Sequence, residues 1–186
     1  MKRCFDILFA SILLALVLPL ILLLLIAIPI ESRGWPIFSQ MRVGRYGKPL
    51  RVYKLRSMTQ GEMPPNLSPL ELIAYDKNRI TRIGYWIRKS GLDESPQFLQ
   101  VIIGQMSLVG PRPLPPTHIV PDMYSPVRDG LRPGLTSLAV VFIMEVNQNY
   151  RTQRARLDNF YALKRSFCLD LWIIASTFRA LRRTNF

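Results

Sequence analysis

Residues 7–30 hold no ionisable side chain, and Pro19 stands near the middle of the run. As a straight helix at ~1.5 Å per residue, such a segment would reach roughly 36 Å, enough to cross a bilayer core. Basic residues flank it on both sides: Lys2 and Arg3 before it, then Arg33, Arg42, Arg45, Lys48, Arg51, Lys54 and Arg56 after it. Positive charge prefers the cytoplasmic face of a membrane, so both ends are drawn to the same side. A proline removes one backbone donor and kinks a helix. The expectation is therefore a re-entrant helix over residues 1–33, broken near Pro19, that dips into one leaflet and returns; a simple span is the alternative. The apolar run is too long for a secretory signal, and no small-residue cleavage site follows it.

The remaining residues, 34–186, make one domain of ordinary size on the cytoplasmic face. The 186-residue chain carries a formal charge of +13, with 25 basic residues against 12 acidic, and 19 of the basic ones are arginine. Arginine presents a planar fork of donors that matches phosphate oxygens, whereas lysine offers a point charge. Beside a membrane, that bias points to anionic lipid headgroups, a phosphorylated substrate, or both. Nucleic acid is not expected as a partner, because zinc-finger spacing, an RNA-recognition signature and a basic heptad region are all missing from the sequence. Cys4 and Cys168 are too isolated to form a disulfide framework. With one histidine, His118, any metal would need oxygen ligands and would be hard, such as magnesium.

Residues 37–58 alternate around a turn near Tyr46-Gly47, where Leu50, Val52 and Leu55 interleave with Arg51, Lys54 and Arg56. The pattern predicts a β-hairpin with one basic face. Residues 61–69, with Gly61, Pro64, Pro65 and Pro69, read as a loop. Helices are expected over 82–89 and from near Asp93 onward through Phe98 and Ile102. A stretch with seven prolines between 111 and 133 cannot be continuous helix. Residues 150–166 are polar with amphipathic spacing. A C-terminal helix over 169–183 has an apolar face of Leu171, Trp172, Ile174 and Phe178, suited either to core packing or to a membrane interface. The fold class is α+β: a membrane helix, a small hairpin and a mostly helical domain.

The chemistry concentrates in Asp93-Glu94, the one neighbouring pair of acidic residues in the chain. Pro96 restricts this point to the first turn of a helix, so Asp93 is a natural N-cap. The pair also lies among cations: Arg88 and Lys89 upstream, and Arg112 downstream in Gly110-Pro111-Arg112-Pro113. A carboxylate pair among cations is where a phosphate and a divalent metal can meet, one oxygen attacking phosphorus while the other carboxylate holds the ion. Positive neighbours are expected to keep the Asp93 pKa low. Prolines on both sides of Arg112 favour a fixed phosphate clamp.

Several segments together resemble the bacterial sugar transferase family, the monotopic phosphoglycosyl transferases. They are Lys2-Arg3-Cys4-Phe5-Asp6, Phe38-Ser39-Gln40-Met41-Arg42-Val43-Gly44, Val52-Tyr53-Lys54-Leu55-Arg56-Ser57-Met58 and Arg79-Ile80-Thr81-Arg82-Ile83-Gly84. Leu92-Asp93-Glu94, Met106 through Pro113, Arg132-Pro133-Gly134 and Leu169-Asp170-Leu171 complete the set. The resemblance covers nearly the whole chain, in the minimal catalytic form without the extra transmembrane domain of longer relatives. It implies that Asp93 attacks the sugar-bearing phosphorus of a nucleoside diphosphate sugar, usually a uridine one. The phosphosugar then passes to polyprenol phosphate. It implies Glu94, with Asp93, as the magnesium site, Arg112 as a phosphate contact, and Lys54, Arg56, Arg88 and Arg132 as further basic residues of the site. It also implies the cytoplasmic face of the bacterial inner membrane, with other glycan-assembly proteins or a second copy as candidate partners.

The chain departs from the family pattern at Ser95, Gln100 and Gln105, at Leu18 before the membrane proline, and across residues 135–147. These changes leave the proposed nucleophile and metal ligand in place, so a changed sugar donor is expected rather than lost catalysis. The alternative is a diverged, non-catalytic membrane protein that binds polyprenol phosphate or a partner transferase.

Overall fold

A computed structural model describes residues 1–61, 75, 77–116, 125–142 and 150–181. Most of the loop expected over 61–69 lies outside the described residues, as do His118, residues 143–147 of the divergent stretch, and Arg182 and Arg183. Among the described residues the architecture is α+β, with one long apolar helix and two small sheets.

The first helix, α1 (Lys2–Glu31), runs as helical backbone through both Pro19 and Pro29, where a break was expected near the former. Proline forfeits one hydrogen bond, but its fixed φ is itself helical, so the ladder resumes beyond it. Among the described residues, α1 is the one helix long and apolar enough to cross a membrane. Its outer face is bare: Leu8, Leu16, Leu23 and Ile26 are all exposed, Leu16 by 71%. Its inner face enters two clusters, Ala10 packing with Val101, Met106 and Leu108, and Ile21 and Ile28 with Leu55 and Ile87.

Both ends of α1 are bonded to the same domain. At its start Arg3 donates to the carbonyls of Val101 (2.7 Å) and Ile102 (2.9 Å), and Lys2 to Asp170 Oδ2 (2.7 Å). At its end Arg56 donates to the carbonyls of Arg33 (2.8 Å), Ile28 (3.5 Å) and Ser32. A helix C-terminus leaves unpaired carbonyls, and a buried guanidinium is well suited to satisfy them.

Strands β1 (Ile37–Val43) and β2 (Pro49–Leu55) form the expected antiparallel hairpin, in register from Ile37↔Leu55 to Val43↔Pro49. The turn falls at Arg45–Gly47, with Tyr46 at φ 55 and Gly47 at φ 72. Side chains alternate across a strand, so Lys54 shares a face with the buried Leu50 and Val52, while Arg51 points outward. The hairpin therefore lacks the single basic face expected of it.

Helix α2 (Arg82–Ser90) starts where Thr81 Oγ1 accepts from Gly84 N (2.9 Å) and Glu31 Oε1 accepts from Arg82 N (2.8 Å), so the end of α1 helps to cap it. Gly84 sits against β2's continuation so closely that a Cβ there would lie 1.9 Å from Ser57 O. Gly84→Ala is expected to lower stability by about 2–3 kcal/mol, read as a fall in denaturation midpoint. An unchanged midpoint would mean that the two backbones do not approach this closely.

Gly91, at φ 72, ends α2 in the left-handed conformation that favours glycine. A 3₁₀ turn, Leu92–Glu94, then leads to α3 (Gln97–Ile102). Strand β3 (Ser107–Val109) pairs in parallel with β4 (Gly134–Thr136), and neither was anticipated as a strand. The Gly-Pro-Arg-Pro and Arg-Pro-Gly segments adjoin these strands backbone to backbone: a Cβ on Gly134 would stand 2.2 Å from Gly110 N. Helices α4 (Pro126–Asp129), α5 (Leu138–Phe142), α6 (Tyr150–Lys164) and α7 (Phe167–Leu181) follow. Tyr161 of α6 donates to Asp170 Oδ1 of α7 (2.6 Å), tying the last two helices together inside the core. The apolar stripe of α7 divides its role. Ile173 is buried, and Ile174 packs on the core, while Leu171, Trp172 and Phe178 stay exposed.

Candidate active site

Asp93 and Glu94 sit in the 3₁₀ turn between Gly91 and Pro96. Ser95 Oγ closes that turn by donating to Leu92 O at 2.7 Å. Asp93 is not the N-cap of α3; that position is Pro96, and the Asp93 side chain makes no capping bond. Pro96 starts the helix with a pre-set φ, which frees both carboxylates to face inward.

What they meet is cationic. Lys54 Nζ, directed inward by the β2 alternation, lies 2.6 Å from Glu94 Oε1 and 3.4 Å from Asp93 Oδ2. Arg112 Nη2 donates to the same Glu94 oxygen at 2.9 Å. The four side chains and Arg88 line one cavity of ≈ 490 Å³. Its other walls are apolar: Phe9, Leu13 and Val17 of α1, Phe98 of α3, and Ile174 and Phe178 of α7. One cavity thus joins a charged floor to the face of the apolar helix.

The two carboxylates titrate in opposite directions. Burial pushes Glu94 up, but Arg112 and Lys54 together outweigh it and hold the group at about 2. Asp93 is instead raised above the ordinary aspartate value: burial contributes most, Glu94's charge adds to it, and Lys54 and Arg88 only partly oppose them. This corrects the expectation of a low Asp93 pKa. The cations stand closer to Glu94, and desolvation decides the rest.

Of the basic residues expected at the site, Lys54, Arg88 and Arg112 are brought together with the carboxylate pair, and Arg56 and Arg132 are not. Arg56 is buried against the carbonyls that end α1. Arg132 donates through Nε to Gly104 O at 2.9 Å and lines a different recess.

Sequence reasoning missed a layer behind Arg112. Arg42 adjoins Glu94 and Arg112 in a small recess, and its Nη1 donates to Pro113 O at 3.4 Å. Burial, then repulsion from Arg112 and Arg154, lowers its pKa. Arg154, also buried, donates to Arg112 O at 3.5 Å. Asp158, one helical turn on, is pushed up to about 6 by burial against the pull of Arg154 and Arg128. The i, i+4 pair Arg154–Asp158 was the one available signal.

Among the described residues no group of three His, Cys, Asp or Glu side chains could hold a metal ion. Among the described residues, Asp93 and Glu94 are the carboxylates that line the cavity.

The family model for bacterial sugar transferase matches residues 1–184, and the chain belongs to that family. A UDP-glucose:undecaprenyl-phosphate glucose-1-phosphate transferase of Klebsiella pneumoniae is 39% identical over 187 residues, covering 95% of this chain and 39% of the relative. A protein of the same name from Caulobacter vibrioides is 37% identical over 99% of this chain and 70% of its own length. A UDP-N-acetylgalactosamine-undecaprenyl-phosphate N-acetylgalactosaminephosphotransferase of Aeromonas hydrophila is 36% identical, with 97% of this chain and 43% of the relative covered. The chain therefore spans less than half the length of the first and third of these relatives.

Proposed function

We propose that the protein transfers a sugar phosphate from a uridine diphosphate sugar to undecaprenyl phosphate through a covalent phosphosugar on Asp93, starting a membrane-linked glycan. The observation that carries this reading is the cavity itself, where two carboxylates, a lysine and two arginines share walls with apolar residues of α1 and α7. A phosphate on a long apolar chain needs both halves. The names of the relatives supply the substrate classes.

In the first step an Asp93 oxygen attacks the sugar-bearing phosphorus. A P–O bond forms, the P–O bond to the nucleotide breaks, and uridine monophosphate leaves with that electron pair. In the second step an oxygen of undecaprenyl phosphate attacks the same phosphorus and expels the Asp93 carboxylate, which is thereby restored. The raised pKa makes ionised Asp93 a stronger nucleophile, at the cost of needing a higher pH to ionise. Arg112 and Arg88 provide fixed positive charge where phosphate oxygens gather. Lys54 holds the two carboxylates in register.

The donor set fits magnesium: Glu94 stays ionised, Asp93 adds a second hard oxygen, and phosphates and water complete such sites. When bound there by Glu94 and Asp93, the ion would supply charge neutralisation on the phosphate oxygens.

The assay incubates purified full-length protein with magnesium, undecaprenyl phosphate and a panel of uridine diphosphate sugars, scoring uridine monophosphate released. Release with at least one donor is expected, with an acid limb set by ionisation of Asp93. Lys54→Gln removes a cation that lowers the Asp93 pKa, so that limb should move to higher pH. No release with any donor, or an unmoved limb, would contradict this reading.

The bonds from both ends of α1 to one domain support a membrane helix whose two ends lie on the same side, and its basic flanks favour the cytoplasmic face of the inner membrane. A tag at residue 1 should then be reached by impermeant reagents only in inverted vesicles. Reaction at residue 1 in intact cells stripped of their outer membrane, with the domain reached only in inverted vesicles, would instead establish a span.

A further inference from the structure

A second basic recess, of ≈ 200 Å³, shares no lining residue with the Asp93 cavity. Lys2, Arg3, Arg45, Arg132 and Arg165 face it, with Asp6 as the one carboxylate in its lining. Three of these arginines are positioned by neutral acceptors: Arg3 by the carbonyls ending α3, Arg45 by Gly130 O (2.7 Å) and Arg132 by Gly104 O (2.9 Å). Carbonyls fix direction without neutralising charge. Asp6 is 3% exposed and accepts from Ser107 through Oδ2 at 2.7 Å. Its Oδ1 is sealed from solvent, accepts no hydrogen bond from the described residues, and pairs with Lys2 Nζ at 3.8 Å.

An apolar pocket of ≈ 480 Å³, walled by Phe5 and Phe167, adjoins the recess. Lys2, which also donates to Asp170 in the wall of the apolar pocket, and Arg165 line both, so two cations and one carboxylate stand at the seam between an apolar and a polar compartment. The exposed apolar face of α1 begins one turn further, at Ile7 and Leu8.

We propose that this double pocket binds one anionic phospholipid with a phosphoglycerol headgroup. The phosphate lies at the seam on Arg165 and Lys2, and the glycerol headgroup lies in the recess beside Arg45 and Arg132. An acyl chain leaves across Phe5 and Phe167. A choline headgroup brings a positive charge among cations, so it is rejected. The site is independent of the Asp93 reaction and gives Arg132 a role outside it.

Native mass spectrometry of the full-length protein in neutral detergent tests this, with phosphatidylglycerol, phosphatidylcholine or glycerol 3-phosphate added. The expected result is one retained phosphatidylglycerol and no retained phosphatidylcholine. Arg165 is exposed, so Arg165→Gln should keep the fold while lowering the bound fraction about tenfold, the effect of losing one charge-assisted phosphate contact. Lys164→Gln, outside both pockets, should leave binding unchanged. Equal retention of the two lipids, or an undiminished Arg165→Gln adduct, would overturn the proposal. Glycerol 3-phosphate held as firmly as the lipid would make this a site for soluble phosphates and overturn it too.

Discussion

Asp93→Asn is expected to reduce nucleotide release by roughly four orders of magnitude or more, the scale seen when a covalent nucleophile is removed. The protein should fold, because the Asp93 carboxylate caps no helix and asparagine fills nearly the same volume. It should even gain stability. The folded state raises the pKa of Asp93, so it binds the proton more tightly than the unfolded chain does, and ionising the group costs stability as pH rises from the ordinary aspartate range through the raised value. At neutral pH the variant, which has no charge to bury, should therefore melt above the parent. The gap should close as pH falls back to the ordinary aspartate range. A variant that is inactive and less stable would point to a structural role. One that retains full activity would favour the non-catalytic relative.

Glu94→Gln should do the reverse to stability and have a smaller, still large, effect on rate. Removing the charge that organises Lys54 and Arg112 is expected to cost roughly two to three orders of magnitude in kcat/KM, comparable to losing a preorganised electrostatic contact. Its folded pKa, at about 2, lies below the ordinary value of 4.5. Its ionised form therefore contributes stability above pH 4.5, up to roughly 3 kcal/mol, and that contribution is lost as pH falls toward 2. The variant should melt below the parent at neutral pH and converge with it in acid. Glu94's charge also raises Asp93, so the residual activity should have its acid limb at lower pH, opposite to the shift expected for Lys54→Gln. Limbs moving the same way in both variants would contradict the charge relations drawn here.

How much of this was legible in the chain differs by element. The hairpin and its turn, α1, α2 and α7 follow from hydrophobic periodicity and a few Gly and Pro positions. The Asp-Glu and Gly-Pro-Arg-Pro motifs supply the two carboxylates and one arginine of the candidate site, and Lys54 and Arg88 line the same cavity. Strands β3 and β4 are three residues each, too short for alternation to register, and backbone approach at Gly110 and Gly134 positions them. Arg56 and Arg132 misled because position in sequence gives a charge but not its direction: backbone carbonyls capture both. The Asp93 pKa was misjudged for a related reason. Counting cations is possible from sequence; weighing them against burial requires the fold. Arg42 and the Arg154–Asp158 pair join the site from segments far from the motifs, which only packing reveals.

A nucleophilic Asp93 can be tested most directly by intact-protein and peptide mass spectrometry. Full-length protein would be incubated with magnesium and a donor that supports turnover, and undecaprenyl phosphate withheld. A mass gain of one sugar phosphate, mapped to Asp93 and discharged when undecaprenyl phosphate is added, is the expected result. Turnover in the complete reaction with no adduct at that residue under any quench would contradict the covalent route.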